Sequence, residues 1–307
     1  MKIFFDNVNF SSNSGPNTFA YRLAENLNSR GHTISSTPEC DIHFAFIEQT
    51  QKKVSSSKLI QRLDGIWFKP DEFVKKNTNI KATYNAADYV IWQTEFDNRM
   101  ITKFWGNRSG EVIHNGITLT KVAVTHPDLI HLKNKYEVIF VASANWHRQK
   151  RLKENIEFFN NFCRVNKNAC LLIAGSNPDH IVKQENILYV GNLDKNLLMQ
   201  VYATSNWMIH LAWLDHCPNT VIEALSQNVP VICSEDGGTK EIVKEFGLVL
   251  PEQHPYQFDL IDYSNPPDIN FNIEKLPEIK VDPSHVDINI VADKYEKCFT
   301  EILKGKR

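Results

Sequence analysis

Short apolar runs alternate with amphipathic stretches along most of the chain. The runs are bounded by Gly, Pro or polar residues, a pattern typical of parallel strands that are buried on both faces. We expect two series of strands, the first at 2–5, 42–47, 58–63, 89–93 and 111–114, and the second at 137–143, 169–175, 187–191, 207–212 and 230–234.

The stretches between these runs have the spacing of amphipathic helices. Residues 18–30 carry apolar side chains on one stripe, and Gly31 follows as a C-terminal stop signal. Residues 194–205 and 219–227 have the same character. A final helix is expected over 288–306, and its apolar face must be buried against another element.

The alternation of strands and helices, interrupted around 120–135, predicts an α/β protein with two doubly wound, Rossmann-like domains. We expect the first domain over 1–125 and the second over 126–250. The Pro-rich residues 251–285 predict an irregular linker. Together with the last helix, which we expect to pack across both domains, the linker makes up residues 251–307.

Composition is that of an ordinary soluble protein with room for two cores. The chain has 307 residues, 42% of them hydrophobic, and a formal net charge of −2. The six cysteines include no C-x-x-C pair, and the N-terminal apolar run is too short for a signal peptide. Since no apolar run reaches membrane-spanning length, we expect a cytoplasmic protein with free thiols.

Two acidic residues, Asp215 and Glu223, flank the predicted start of a helix. Asp215 should lie in the loop before the helix and Glu223 within it, while Pro218 suits the first helical turn. The backbone N–H groups at a helix start attract phosphate, and carboxylates accept hydrogen bonds from hydroxyls. A ligand that carries both phosphate and hydroxyls is suggested, such as a nucleotide sugar.

Several motifs occur in the order found in a known family. They are "IHNGI" at 113–117, "VASANWHRQKRLKENIEFF" at 141–159 and "DHCPNTVIEALSQNVPVICSEDGGTKEIV" at 215–243. This set resembles the family 4 glycosyltransferases, whose E-x7-E signature is present here as D-x7-E. The resemblance implies the GT-B fold, in which two Rossmann-like domains face a central cleft and the second domain binds the donor.

The resemblance also assigns roles to donor-binding residues. Glu223 matches the second acid of the signature, which holds the ribose hydroxyls. Asp215 matches the first acid, near the transferred sugar, and is shorter than the usual Glu by one C–C bond, about 1.5 Å. His216 could share its role, and a helix-capping role for Asp215 is also open. Further donor contacts are expected at Pro218, Asn219, Thr220 and Gly191.

Basic residues in the loop after the 137–143 run match the family's diphosphate-binding cations. Lys150 and Arg148 are catalytic candidates together with Asp215 and Asp64, because fixed cations stabilise the charge that develops on a leaving diphosphate. The family usually has an Arg five or six positions before the Lys, where this chain has Ala144 and Asn145. Either Arg148 or Arg151 could replace it.

The first domain offers fewer candidates. Gly15 lies in the loop where the family's backbone approaches the donor phosphates, although a plain turn explains "NSGPN" equally well. Asp64 is the candidate for contact with the sugar or its acceptor, with an Asp–Gly turn as the alternative. Trp67 and Phe68 could stack on a sugar or fill the core.

These features predict a glycosyltransferase that moves a sugar from a nucleotide donor, a UDP- or GDP-sugar, to the hydroxyl of a glycan, a lipid-linked sugar or another acceptor. The resemblance implies retention of configuration. The histidines and acids show none of the common metal-binding spacings, so we expect no catalytic metal and no cofactor beyond the co-substrate.

Three alternatives stay open. A GT-B-like nucleotide-sugar epimerase would use the same donor site without an acceptor. A non-catalytic nucleotide-sugar-binding module would agree with the departures at Asp215 and Asn145. A modified nucleic-acid base could be the acceptor, since residues 1–125 carry a slight basic excess, but no basic stripe with interleaved aromatics supports it.

Overall fold

A computed structural model describes residues 1–12, 14–271 and 275–307. The chain forms two compact units. The first unit comprises 1–118, 257–262 and 284–307, and the second comprises 119–256 and 263–283. The chain therefore leaves the first unit seven residues earlier than the predicted boundary at 125, and it returns to the first unit near its end.

The first unit is built on a six-stranded sheet in the order β2-β1-β3-β4-β5-β6, with each neighbouring pair parallel. Its helices follow the strands as the apolar spacing predicts, and Gly31, with φ +87°, succeeds the first helix. The elements are β1 (Lys2–Asp6), α1 (Gly15–Ser29), β2 (Thr33–Ser35), β3 (Ile42–Phe46), β4 (Lys58–Leu63), α2 (Phe73–Ala86), β5 (Tyr89–Trp92), α3 (Glu95–Trp105) and β6 (Gly110–Val112).

The second unit has a six-stranded parallel sheet in the order β12-β11-β10-β7-β8-β9. A 3₁₀ turn at Arg148–Lys150 joins its first strand to the following helix. The elements are α4 (Pro127–Lys135), β7 (Val138–Ser143), α5 (Leu152–Val165), β8 (Ala169–Ala174), β9 (Ile187–Gly191), α6 (Lys195–Thr204), β10 (Trp207–His210), α7 (Asn219–Ser226), β11 (Val231–Ser234), α8 (Thr239–Val243) and β12 (Gly247–Leu250).

The last helix, α9 (Ile288–Leu303), belongs to the first unit. Its apolar face, including Tyr295 and Phe299, joins the core formed by β1, β3 and α1. Arg30 at the end of α1 pairs with Asp293 and Glu296 on α9. This arrangement differs from the single segment predicted over 251–307, because burial of the helix face recruits it to the first core.

Both predicted series of strands are present, and the α/β fold class with two doubly wound sheets is confirmed. Two strands were not predicted, β2 and β12, which lie at the sheet edges. An edge strand has only one neighbour and needs less apolar character, so its sequence signal is weaker. Within the described residues, every helix is too short or too polar to span a bilayer.

The predicted linker at 251–285 has no helix or strand among its described residues except a bridge between Glu252 and Ile269 and a 3₁₀ turn at Pro283–Val286. Residues 257–262 of this segment belong to the first unit, and the rest up to Pro283 belongs to the second. Residues 272–274 of the predicted linker, and Asn13 of the predicted "NSGPN" turn, lie outside the described residues.

Gly175 shows how closely the loops at one end of the second sheet are packed. It follows β8 with φ +108°, and a Cβ there would lie 1.8 Å from the carbonyl oxygen of Ala144. Trp146, in the same loop as Ala144, donates from its indole N–H to the Ala174 carbonyl oxygen. The loop after β7 is therefore held against the end of β8.

Replacing Gly175 by alanine should destabilise the second unit by about 3 kcal/mol or more, because the new methyl group meets backbone. Gly191→Ala is the matched control. Gly191 also has a positive φ, +70°, but, its chain neighbours aside, the described residues place no atom within 4 Å of the added Cβ, so only about 1 kcal/mol of conformational strain is expected. Urea denaturation of both variants measures the difference, and equal losses would contradict the close packing.

Candidate functional site

The candidate site of the second unit lies at the carboxyl end of its sheet. The sheet order places β10 beside β7, which is the point where the chain order of the strands reverses. In open parallel sheets this switch point leaves a crevice in which ligands bind. The loops that follow these two strands carry the residues singled out from the sequence, including Lys150 and Asp215.

Asp215 is the centre of a three-residue cluster. Its Oδ2 atom accepts a hydrogen bond from the Lys150 ammonium at 2.5 Å and lies 3.1 Å from Nε2 of His210. Its Oδ1 atom accepts the backbone N–H of His216 at 3.0 Å. The side chains of Lys150, Asp215 and His210 are 22%, 14% and 4% exposed, respectively, so the lysine is the most accessible of the three.

The surroundings fix the protonation states of this cluster. Burial by itself would raise the pKa of Asp215, but the charge of Lys150 and the hydrogen bond from His210 outweigh it and hold the pKa well below its usual value. Burial lowers the pKa of His210, and this effect exceeds the opposing influence of Asp215. At neutral pH a neutral imidazole therefore donates from Nε2 to a carboxylate that is also paired with Lys150.

The loops that carry Lys150 and Asp215 are tied together by backbone contacts. Trp213 donates its N–H to the Gln149 carbonyl oxygen, and the Gln149 side chain donates to the Trp213 carbonyl oxygen, both at 2.9 Å. The Gly238 N–H bonds to the Asp215 carbonyl oxygen at 2.7 Å. A Cβ on Gly237 would lie 2.9 Å from that same oxygen, so glycine permits the close approach.

The neighbouring arginines have different surroundings. Arg148 makes a two-point ion pair with Glu154 in the first turn of α5, at 2.8 and 2.7 Å, and is 43% exposed. Arg151 is fully buried, with φ +55°, and pairs with Glu252 at 2.9 Å. Two arginines were candidates for the missing phosphate-binding arginine. Arg151 is buried and pairs with Glu252, whereas Arg148 is accessible to solvent but pairs with Glu154.

The start of α7 and Glu223 lie along the same short helix. Pro218 occupies the N-cap position, one residue before the predicted first turn, and Asn219 and Thr220 form the helix start and are half-buried. Glu223, one turn on, is also half-buried. Burial raises the pKa of Tyr202 on α6, and the negative charge of Glu223 raises it further.

Gly191 ends β9 and is exposed, with its carbonyl oxygen accepting the Gly175 N–H at 2.7 Å. It therefore lies at the same end of the sheet as the loop after β7. His216 adjoins Asp215 and is half-buried. The structure brings Lys150, Asp215 and His216 together, and the donor-binding roles predicted for these residues, Glu223 and Gly191 stay predictions.

The first unit has its own polar cluster at the carboxyl end of its sheet. Asp64, just after β4, accepts hydrogen bonds at Oδ1 from the buried Arg62 and from Gln93, the latter at 2.6 Å. Arg62 also donates to Asn115 and to the Tyr295 hydroxyl. The Oδ2 atom of Asp64 is buried and has no hydrogen-bond partner among the described residues.

The other candidate residues of the first unit differ in their exposure to solvent. Gly15 is the exposed first residue of α1. Phe68 is buried, 3% exposed, so of the two alternatives, stacking on a sugar or filling the core, it fills the core. Trp67 is 42% exposed, and the Lys76 ammonium lies 3.9 Å from its ring centroid.

His210 is the site residue that sequence reasoning missed. A signal was present, because this histidine interrupts the apolar run of the strand predicted at 207–212, five residues before Asp215. Its importance depends on the turn that brings Asp215 back over the strand end. Within 1–12, 14–271 and 275–307, no group of three or more His, Cys, Asp or Glu side chains could hold a metal ion.

Comparison with known proteins adds to this geometry. Residues 126–258 match the family described as Glycosyl transferases group 1. A curated relative, the putative glycosyltransferase ORF31 of a virus (isolate Australia/Victoria), is 27% identical over 192 residues. The match spans 59% of this chain and 59% of that relative's length. These matches support a glycosyltransferase, and the family match includes the whole cluster around Asp215.

Solved structures are similar over both units. Sucrose-phosphate synthase from Thermosynechococcus elongatus aligns over 99% of both chains, with a TM-score of 0.69 and 14% identity. A glycosyltransferase from Rickettsia africae aligns over 99% of this chain and 98% of its own, with a TM-score of 0.67 and 15% identity. HepE from Anabaena, in complex with UDP-glucose, aligns over 98% of this chain and all of its own, with a TM-score of 0.64 and 14% identity. The GT-B fold class is confirmed.

The two arginines should differ sharply when each is replaced by methionine. Arg151→Met leaves Glu252 as an unpaired buried charge, so it should cost about 3–5 kcal/mol of unfolding free energy. Arg148→Met removes a cation that is 43% exposed from Glu154, whose side chain is 7% exposed but keeps the favourable helix dipole at the start of α5, and should cost less, about 1–2 kcal/mol. Urea denaturation checks both values, and equal losses would contradict the structural role of Arg151.

Proposed function

We propose that this protein is a glycosyltransferase that moves a sugar from a nucleoside diphosphate sugar to a hydroxyl acceptor. The observation that carries the proposal is the cluster of Lys150, Asp215 and His210 beside the start of α7, one turn from Glu223. The family match over 126–258 and the similarity to HepE, whose structure contains UDP-glucose, support a UDP-sugar as the first donor to test.

The second unit supplies the groups that a donor needs. The Lys150 ammonium and the first backbone N–H groups of α7 would bind the diphosphate, because a helix start and a nearby cation both favour anionic oxygens. The Glu223 carboxylate would accept hydrogen bonds from the ribose hydroxyls. Asp215 and His216 would face the transferred sugar, and Gly191 would let the backbone approach the nucleoside.

The reaction would break the bond between the anomeric carbon and a diphosphate oxygen. The acceptor oxygen forms the new bond to that carbon, the diphosphate leaves with the bonding electrons, and the hydroxyl proton passes to the departing phosphate or to solvent. Charge therefore grows on the diphosphate as the bond breaks. A fixed Lys150 stabilises this charge more in the transition state than in the ground state, which is how it would accelerate the reaction.

We further propose that transfer retains the anomeric configuration and needs no divalent metal. Neutralisation of the leaving diphosphate is the task that a divalent cation performs in many phosphate-transfer sites. Here the Lys150 ammonium and the N–H groups of α7 can take that task, with Arg148 as a further cation if the donor draws it away from Glu154. The retaining outcome rests on the resemblance of the D-x7-E segment to family 4 glycosyltransferases.

Acceptor binding is assigned to the first unit. The Asp64 carboxylate is fixed through Oδ1 by Arg62 and Gln93, and its Oδ2 atom has no partner among the described residues. A hydroxyl donated to Oδ2 would satisfy that oxygen, which otherwise loses the hydrogen bonds it would make in water. We therefore propose a polyhydroxylated acceptor, a glycan or lipid-linked sugar before a nucleic acid. Gly15 stays a predicted contact of the donor.

Glu223→Ala should remove most of the thermal stabilisation that nucleoside diphosphates give. In the wild type, a ligand at 100 times its dissociation constant adds roughly 2.7 kcal/mol of stability. A thermal-shift series with UDP, GDP and ADP would measure this gain in both proteins. Glu157→Ala is the control and should keep the full shift, because Glu157 is a partly exposed glutamate of α5 that pairs with Lys153. An unchanged shift in Glu223→Ala would show that the ribose assignment is wrong.

Lys150→Ala should lower kcat for sugar transfer by about 100-fold or more, because it removes the cation from the leaving diphosphate. Lys153→Ala, which removes an exposed lysine of α5, should leave kcat unchanged. UDP-glucose would be incubated with sugar acceptors in the presence and absence of EDTA, and NMR would read the anomeric configuration of the product. We expect retention and no effect of EDTA.

Three other outcomes of that experiment would redirect the assignment. Conversion of the donor sugar without any acceptor would indicate an epimerase. Donor binding without turnover on any acceptor would indicate a binding module. Loss of transfer on metal removal would show that metal-independence is wrong.

A further inference from the structure

His210 supports the Asp215 carboxylate from the interior of the second unit. It is the last residue of β10, and its ring is 4% exposed. The same oxygen, Asp215 Oδ2, lies 3.1 Å from His210 Nε2 and 2.5 Å from Lys150 Nζ. One carboxylate oxygen thus joins a buried ring to the more exposed ammonium.

We propose that His210 is a positioning residue, which fixes the Asp215 carboxylate so that the carboxylate in turn holds Lys150 where the donor diphosphate binds. The inference rests on the proposed function, because it requires Lys150 to meet a diphosphate. His210 itself is not required to touch the donor.

The flexibility of lysine is the reason such support matters. A lysine side chain loses rotamer entropy when it is fixed, and a ligand that must order it binds correspondingly more weakly. Asp215 orders Lys150 in advance only if its own carboxylate is fixed. Its Oδ1 contact, the N–H of His216, belongs to the same loop, whereas His210 belongs to the sheet, where it pairs with Cys233 of β11.

The chemistry of the ring suits this task. A neutral imidazole donates one hydrogen bond and adds no charge, so Asp215 keeps its negative charge for Lys150. A cation at this position would compete with Lys150 for the carboxylate. The short side chain of Asp215 also fits, because a glutamate would carry its carboxylate about 1.5 Å further from the strand end. The aspartate that replaces the first glutamate of the E-x7-E signature is therefore the residue that His210 contacts.

The test combines UDP affinity with the reactivity of Lys150. UDP binding would be measured by calorimetry for the wild type, His210→Phe, His210→Gln, Lys150→Met and the Lys150→Met/His210→Phe double variant. We expect His210→Phe to weaken UDP binding by about tenfold and His210→Gln, which keeps an N–H donor, by less than about threefold. In the Lys150→Met background the same Phe change should weaken binding by less than about twofold, because the residue being positioned is gone.

The second measurement needs no ligand. Mass spectrometry would follow the rate at which an amine reagent labels each lysine. His210→Phe should raise the rate at Lys150 several-fold and leave exposed Lys153 unchanged. His43→Phe is the matched control, because His43 forms a similar buried pair with Asp6, at 2.8 Å, in the first unit. It should lower stability without changing UDP affinity or Lys150 labelling.

Two results would overturn the proposal. One is an unchanged labelling rate at Lys150 in His210→Phe. The other is a loss of UDP affinity that is as large in the Lys150→Met background as in the wild type, since this would indicate general damage to the fold. If the wild type binds neither UDP nor another nucleoside diphosphate, the proposed function fails, and Lys150 labelling alone decides whether His210 positions the lysine.

Discussion

A buried ion pair between Arg151 and Glu252 joins the loops on which the site of the second unit is built. The two side chains are 0% and 1% exposed. Arg151 also donates to the carbonyl oxygens of Leu211 and Pro267, and Glu252 accepts the backbone N–H groups of Glu235 and Asp236. Charges removed from water are tolerated only when such partners satisfy them. The loops after β10 and β11, the start of α5 and the Pro-rich segment therefore meet at one point.

This pair matters because the strand order places the site beside it. Parallel strands have all their carboxyl ends at one edge, and the chain order reverses there between β7 and β10, which is where ligands bind in open parallel sheets. The Lys150 loop follows β7, and the Asp215 loop follows β10. Arg151 directly follows Lys150, so the buried residue that pairs with Glu252 and the residue proposed to meet the donor are adjacent in the chain. The backbone at Arg151 is left-handed, with φ +55°, between a partly exposed Lys150 side chain and a fully buried Arg151 side chain.

Within the site, the side chains proposed to bind the donor already satisfy one another. The pair of Lys150 and Asp215 satisfies both charges without a ligand, and His210 contributes a hydrogen bond without adding charge. An anionic donor would compete with Asp215 for the lysine, so affinity depends on how much of the lysine's ordering is already complete. The first unit has a comparable arrangement, in which Arg62 and Gln93 fix one oxygen of Asp64 and the other oxygen has no partner among the described residues.

The sequence by itself determined the fold class, because the spacing of apolar residues in β4 or α7 is a local property that burial then enforces. It also identified Lys150, Asp215 and Glu223 as candidates, because the motifs that contain them occur in the same order as in the family 4 glycosyltransferases. Tertiary structure alone decided the rest. Arg148 and Arg151 are chemically the same and three residues apart, yet one is exposed and the other pairs with Glu252, 101 residues on. His210 acquires its role only because a loop returns Asp215 to the strand end. The role of a charged or polar side chain depends on the group that it contacts. Where that group is distant in sequence, only the packing of the folded chain brings the two together.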